Sequence, residues 1–84
     1  MSASRQIRKI FVSNLPWTVN TSELRKYFAE YGKVDLVRVI FDRETGLSKG
    51  YGYVSFNSPE SVDSVLKRPY HIIEGHHVVI QPTE

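Results

Sequence analysis

The sequence predicts an α+β fold of element order βαββαβ, a four-stranded antiparallel sheet with two helices on one face. Three observations point there. Apolar residues alternate at period two in residues 9–14, 34–41, 49–56 and 76–81, which is strand spacing. Leu24, Phe28 and Tyr31, and later Val62, Val65 and Leu66, recur at helical spacing between those segments. Each helical stretch opens on a capping signal, Asn20 with Glu23 and then Ser58-Pro59-Glu60. Both helices on one side leave the other sheet face open.

In residues 9–14, Ile10 and Val12 fall on one side of a first strand, Phe11 and Ser13 on the other. Leu15-Pro16-Trp17-Thr18 ends it, and Trp17 is expected to pack beneath that loop because Pro16 sets a tight exit. A helix is expected from Asn20 to a stop at Gly32, with Tyr31 joining Phe28 in the core and Tyr27 on the flank. In the second strand Val37 and Val39 share one face, Arg38 and Ile40 the other. A polar, glycine-containing connection, 42–48, leads into the third strand, where Tyr51, Tyr53 and Ser55 oppose Gly52, Val54 and Phe56. Ser58 caps the second helix, with proline in its first turn and an acid near the positive end of its dipole. Val62, Val65 and Leu66 form its expected buried stripe, and Pro69 ends it. A short strand at Ile72-Ile73, a turn at Glu74-Gly75, and a last strand with Val78 and Ile80 inward complete the chain.

Eighty-four residues make one domain, divided as a basic arm, 1–8, and a folded unit, 9–84. The absence of cysteine excludes a disulfide scaffold and cysteine-based zinc sites, and His71, His76 and His77 lack ligand company. No cofactor and no metal are expected. No apolar run reaches the roughly 18 residues of a membrane span, and no apolar leader follows the basic start. Catalysis is not expected either, since no base, nucleophile or phosphate loop converges on a pocket. The formal charge is +2, with 11 Lys and Arg against 9 acids. Its distribution says more: Arg5, Arg8 and Lys9 precede the first acid, Glu23. Such a start suits a phosphate-contacting arm or a short organelle-targeting segment.

The third strand carries the chemistry. Tyr51 and Tyr53 stand on the open face beside Lys49, and flat rings next to a cation suit unstacked bases and their phosphates. Burying Phe11, Tyr51 and Tyr53 together would need a covering element, which the sequence does not supply. Ser13 shares the side of Phe11. Arg38 on the second strand and Gln81 at the end of the last are candidates for base-edge or phosphate contacts. Val79 occupies an open-face position where a polar group would serve binding better, which lowers the expectation for that strand.

Two segments resemble the RNA recognition motif (RRM) family. Residues 49–56 fit its signature K/R-G-F/Y-G/A-F-V-x-F/Y, apart from tyrosine at the fifth position, and Ile10-Phe11-Val12-Ser13-Asn14-Leu15 is similar to its shorter one. The resemblance runs from Lys9 to Gln81 and implies the ferredoxin-like RRM fold, Phe11, Tyr51 and Tyr53 as base-contacting aromatics, and Lys49 as a phosphate-facing cation. Within the family, Leu15-Pro16-Trp17-Thr18, Phe41-Asp42 with Glu44-Thr45-Gly46, and His71-Ile72-Ile73-Glu74-Gly75 are similar to a mitochondrial, stem-loop-interacting branch. That likeness implies a role in mRNA stability and post-transcriptional regulation in the mitochondrion, with a pentatricopeptide-repeat RNA-binding partner; nucleus and cytoplasm are the alternative compartments. The expected ligand is single-stranded RNA bound by a monomer, with single-stranded DNA as the milder alternative. The competing class is a protein–protein adaptor of little RNA affinity, with Tyr27, Tyr31 and Tyr70 as an aromatic surface at the helix ends.

Overall fold

The computed structural model describes residues 7–83. The expected basic arm lies outside the described residues except for Ile7 and Arg8. Five strands and two helices follow: β1 (Lys9–Ser13), α1 (Thr21–Phe28), β2 (Val34–Phe41), β3 (Ser48–Phe56), α2 (Pro59–Lys67), β4 (His71–Ile73) and β5 (His76–Thr83). They form one antiparallel sheet in the order β2-β3-β1-β5-β4, with β1 central. The architecture is the α+β one expected, with five strands in place of four. The fifth is the short strand expected at Ile72-Ile73: Glu74 (φ 51°) and Gly75 (φ 81°) both take left-handed backbone, the geometry of a two-residue hairpin turn, so Ile73 pairs with His76 and the segment joins the sheet.

Alternation sends Ile10 and Val12 of β1, Val54 and Phe56 of β3, Val37 and Val39 of β2, and Val78 of β5 toward the helices. Leu24 and Phe28 of α1 and Val62 and Val65 of α2 complete that core. The capping box of α1 forms as expected: the Glu23 amide donates to Asn20 Oδ1 at 2.9 Å, and the Asn20 amide to Glu23 Oε1 at 3.1 Å. The α-helix is shorter than its apolar spacing predicts. It stops at Phe28, and Ala29–Tyr31 tighten into a 3-10 turn that leaves Tyr31 half-buried against the core.

Three further expectations are corrected. Trp17 does not pack under its loop; it is 71% exposed, because Leu15, Pro16 and Val19 already fill the space beneath. Leu66 is exposed, and the stripe of α2 is completed instead by Ser61, which is buried where Gly32 offers no Cβ to meet it. Ser58 takes the N-cap position without a side-chain bond to the backbone; its Oγ lies 3.4 Å from that of Ser61.

His71 is the one buried imidazole among the described residues. Its Nε2 lies 2.7 Å from the Val65 carbonyl, an oxygen that only accepts, so Nε2 carries the proton and Nδ1 accepts from the Tyr27 hydroxyl at 2.8 Å. This relay ties α1, α2 and β4 together. Burial first, and then the neighbouring Tyr31 hydroxyl, pushes the Tyr27 phenol up to about 12. Tyr27 and Tyr31 therefore surround His71, whereas Tyr70 sits apart, its ring 5.2 Å from that of His77. The expected three-tyrosine surface does not exist as one patch.

Candidate nucleic-acid interface

Strand register assembles the candidate site. Tyr53 pairs with both Arg38 and Phe11, and Phe11 pairs with Gln81, so these four residues form one row across β2, β3, β1 and β5. At about 4.8 Å between neighbouring strands the row spans about 14 Å. A second row runs Tyr51, Ser13, Val79, and a third runs Leu36, Ser55, Lys9, Thr83. Of the residues predicted from sequence, Phe11, Tyr51, Tyr53, Ser13, Arg38 and Gln81 thus share the face turned away from the helices.

Phe11 stands between the two tyrosines, 5.2 Å from Tyr53 at an interplanar angle of 54° and 5.6 Å from Tyr51 at 45°. Such tilts are favourable between rings. All three rings are half-buried. Two backbone details hold the platform. Gly50 takes a left-handed turn (φ 84°), and its carbonyl accepts the Leu15 amide at 2.9 Å, tying the start of β3 to the exit of β1. Gly52 lies where any Cβ would overlap the Arg38 carbonyl, so only glycine lets β2 approach β3 beneath the tyrosines.

Lys49 stands somewhat apart. It is exposed at the start of β3, and its charge adds to the field on Asp42, whose carboxyl is held below its usual range chiefly by the Thr45 and Glu44 amides. Those amides donate to Asp42 Oδ1 at 2.9 and 2.8 Å. A cation the sequence reading overlooked lies closer to the rings: Lys9 Nζ sits 5.4 Å from the Tyr53 centroid, within cation–π reach. Period-two parity with Phe11 was the available signal. Beside it a cavity of about 320 Å³ opens on the same face, lined by Lys9, Leu36, Arg38, Ile40, Tyr53 and Ser55. It joins an apolar floor to two cations. Acids are kept off these rows: Glu23, Glu30, Glu60 and Asp63 belong to the helical side of the chain.

A protein-family model described as RNA recognition motif matches residues 10–79. The chain is 43% identical over 72 residues to the mitochondrial SRA stem-loop-interacting RNA-binding protein of Bos taurus, and 44% identical over 71 residues to that of Mus musculus. These alignments take in 86% and 84% of this chain but 65% and 63% of the relatives, so the chain spans a little under two thirds of the curated proteins it matches. Among solved structures, the RNA binding domain of Hrp1 in complex with RNA superposes with a TM-score of 0.85 at 36% identity, over 93% of this chain and 46% of that one.

Proposed function

The chain belongs to the RNA recognition motif family, whose model takes in most of its length, and we propose on that footing that it binds single-stranded RNA by stacking bases on the open sheet face. One observation carries the reading: three clustered, half-buried rings, Phe11 between Tyr51 and Tyr53, stand beside Lys9 on a face without acids in its paired rows. In this reading the aromatics stack bases, Lys9, Arg38 and Lys49 meet phosphates, and Ser13 and Gln81 offer hydrogen bonds to base edges or the 2′-hydroxyl. The basic segment 1–8 adds further phosphate contacts. The chain is not an enzyme; its family and the named relatives are RNA-binding.

Each stacked base is worth about 1–3 kcal/mol by alanine truncation. Two or three stacks, less the cost of ordering a flexible strand, give roughly micromolar affinity. The test is a fluorescence titration of single-stranded RNA pools at fixed salt, with wild type and a Phe11→Ala/Tyr53→Ala variant whose fold is checked by circular dichroism. A loss of about 2 kcal/mol or more is expected. A folded wild type without saturable binding would sink the proposal.

The likeness to the mitochondrial stem-loop-interacting proteins supports a finer reading: a mitochondrial role in mRNA stability, exercised with a pentatricopeptide-repeat RNA-binding partner. Such a partner suits the helical side, where Leu66 is exposed beside Arg68 above a cavity of about 370 Å³. Charge reversal on α2, Glu60→Lys/Asp63→Lys, should then weaken co-purification of the repeat protein while RNA titration is unchanged. Truncation of Phe11 and Tyr53 should do the reverse.

A further inference from the structure

Aromatic rings also pair on the open sheet face outside the row of Phe11 and Tyr53. His77 faces away from the buried Val78, and the Tyr70 ring packs against it with centroids 5.2 Å apart and planes at 37°. Neither ring is hidden: Tyr70 is 64% exposed, and His77 is exposed as well. His77 lies two residues along β5 from Val79, which pairs with Ser13, and Ser13 pairs with Tyr51. Two-residue steps along a strand and one step across it make a diagonal of about 8 Å between backbone positions. A continuous path therefore leads from Tyr51 over Ser13 and Val79 to His77 and Tyr70.

The ground beneath this path is fixed. Asn14 Nδ2 donates to the His77 carbonyl at 2.7 Å, and Thr18 Oγ1 donates to Glu74 Oε1 at 2.7 Å, so the β4–β5 hairpin is tied to the exit of β1. Preorganisation of this kind lowers the ordering cost of binding.

We propose that Tyr70 and His77 form a second stacking station, which receives a base of the same RNA strand beyond those held by Phe11, Tyr51 and Tyr53. The proposal rests on the RNA reading given above. It commits to RNA because the pair is continuous with that face and because no acid occupies the paired positions between them. Val79, unpromising as a polar contact, serves here as an apolar floor for the sugar or base edge that crosses between stations.

Length dependence separates the two stations. Wild type, Phe11→Ala/Tyr53→Ala, Tyr70→Ala/His77→Ala and the aromatic replacement Tyr70→Phe/His77→Phe are titrated with single-stranded RNA of about four and about eight nucleotides, with melting temperatures taken in parallel. For Tyr70→Ala/His77→Ala the short strand should bind as in wild type, the long strand about fivefold or more weaker. The phenylalanine variant should keep the long-strand affinity. In wild type, the His77 ring protons should move upfield on addition of the long strand. Unchanged long-strand affinity in folded Tyr70→Ala/His77→Ala overturns the second station and leaves the pair to a protein partner or to the hairpin. Equal losses on both lengths, with a lowered melting temperature, also overturn it. Failure of the underlying reading shows separately, as short-strand binding that Phe11→Ala/Tyr53→Ala does not reduce.

Discussion

The two faces of the central sheet differ by a single residue step along the same strands. Ile10, Val12 and Val54 are fully buried and Phe56 nearly so, while Phe11, Tyr51 and Tyr53, their immediate neighbours, are only half-buried on the other face. One parity class carries the core; the other carries the rings. Because both classes hang on one backbone, the core side sets where the rings stand, yet the rings contribute little that the core requires. Stability and binding are therefore separable by mutation in one direction only.

The largest effect should come from the packed side. Phe56 is almost wholly buried, with its ring edge-on to Phe28 at a centroid distance of 6.3 Å. Phe56→Ala should cost about 3–5 kcal/mol in urea unfolding. RNA binding should fall with the folded fraction. The Phe11→Ala/Tyr53→Ala variant should show the opposite pattern, retained stability and lost affinity, and a large drop in its unfolding free energy would break the comparison.

Gly52→Ala tests the coupling between the faces with one methyl group. The added Cβ points to the packed side and overlaps the Arg38 carbonyl, so β2 must move away from β3 or the tyrosine strand must tilt. A loss of about 1–3 kcal/mol of stability is expected. The amide shifts of Tyr51 and Tyr53 should change as well, although neither ring was touched. Unshifted amides would mean that the platform does not depend on the close approach of β2.

Period-two alternation made the strands and their two faces legible, and Asn20 with Glu23 made the start of α1 legible. The ring cluster followed, because alternation alone puts Tyr51 and Tyr53 on one side and Phe11 on the matching side of its partner. What sequence spacing did not give was occupancy. Trp17 was expected beneath its loop because Pro16 sets a tight exit from β1, but Leu15, Pro16 and Val19 are the loop residues that are buried. Leu66 has helical spacing with Val62, yet the stripe turns toward Ser61 because Gly32 leaves room there. Tyr70 lies outside any strand, so no periodicity assigned it a face; its contact with His77 depends on the hairpin formed at Glu74-Gly75. These outcomes depend on which element arrives opposite, and local sequence does not encode that.

On the open face a smaller effect distinguishes charge from stacking. Lys9→Met keeps the aliphatic stem and removes the ammonium 5.4 Å from the Tyr53 ring. The loss of affinity should be about 0.5–1 kcal/mol, similar for all RNA sequences. The slope of log affinity against log salt should fall by about 0.7, as for one phosphate contact on a single strand. A lost affinity with an unchanged slope would assign Lys9 to the ring alone, as a support for Tyr53.

The smallest effect belongs to the tyrosine that the packed side has captured. The Tyr27 phenol is pushed up to about 12 by burial and by Tyr31, while its hydroxyl donates to His71 Nδ1. In the unfolded chain it ionises near the ordinary value of 10.0. The folded state thus favours the neutral phenol, and this contribution to stability is fully present below pH 10 and is lost as pH rises from 10.0 toward about 12. An alkaline absorbance titration of wild type should contain a late phenolate step that is missing from Tyr27→Phe, and the alkaline unfolding midpoint should depend less steeply on pH in that variant. If the step survives the substitution, the late-ionising phenol is another tyrosine, and the separation between a neutral tyrosine held against the helical core and the ring cluster on the open face is drawn in the wrong place.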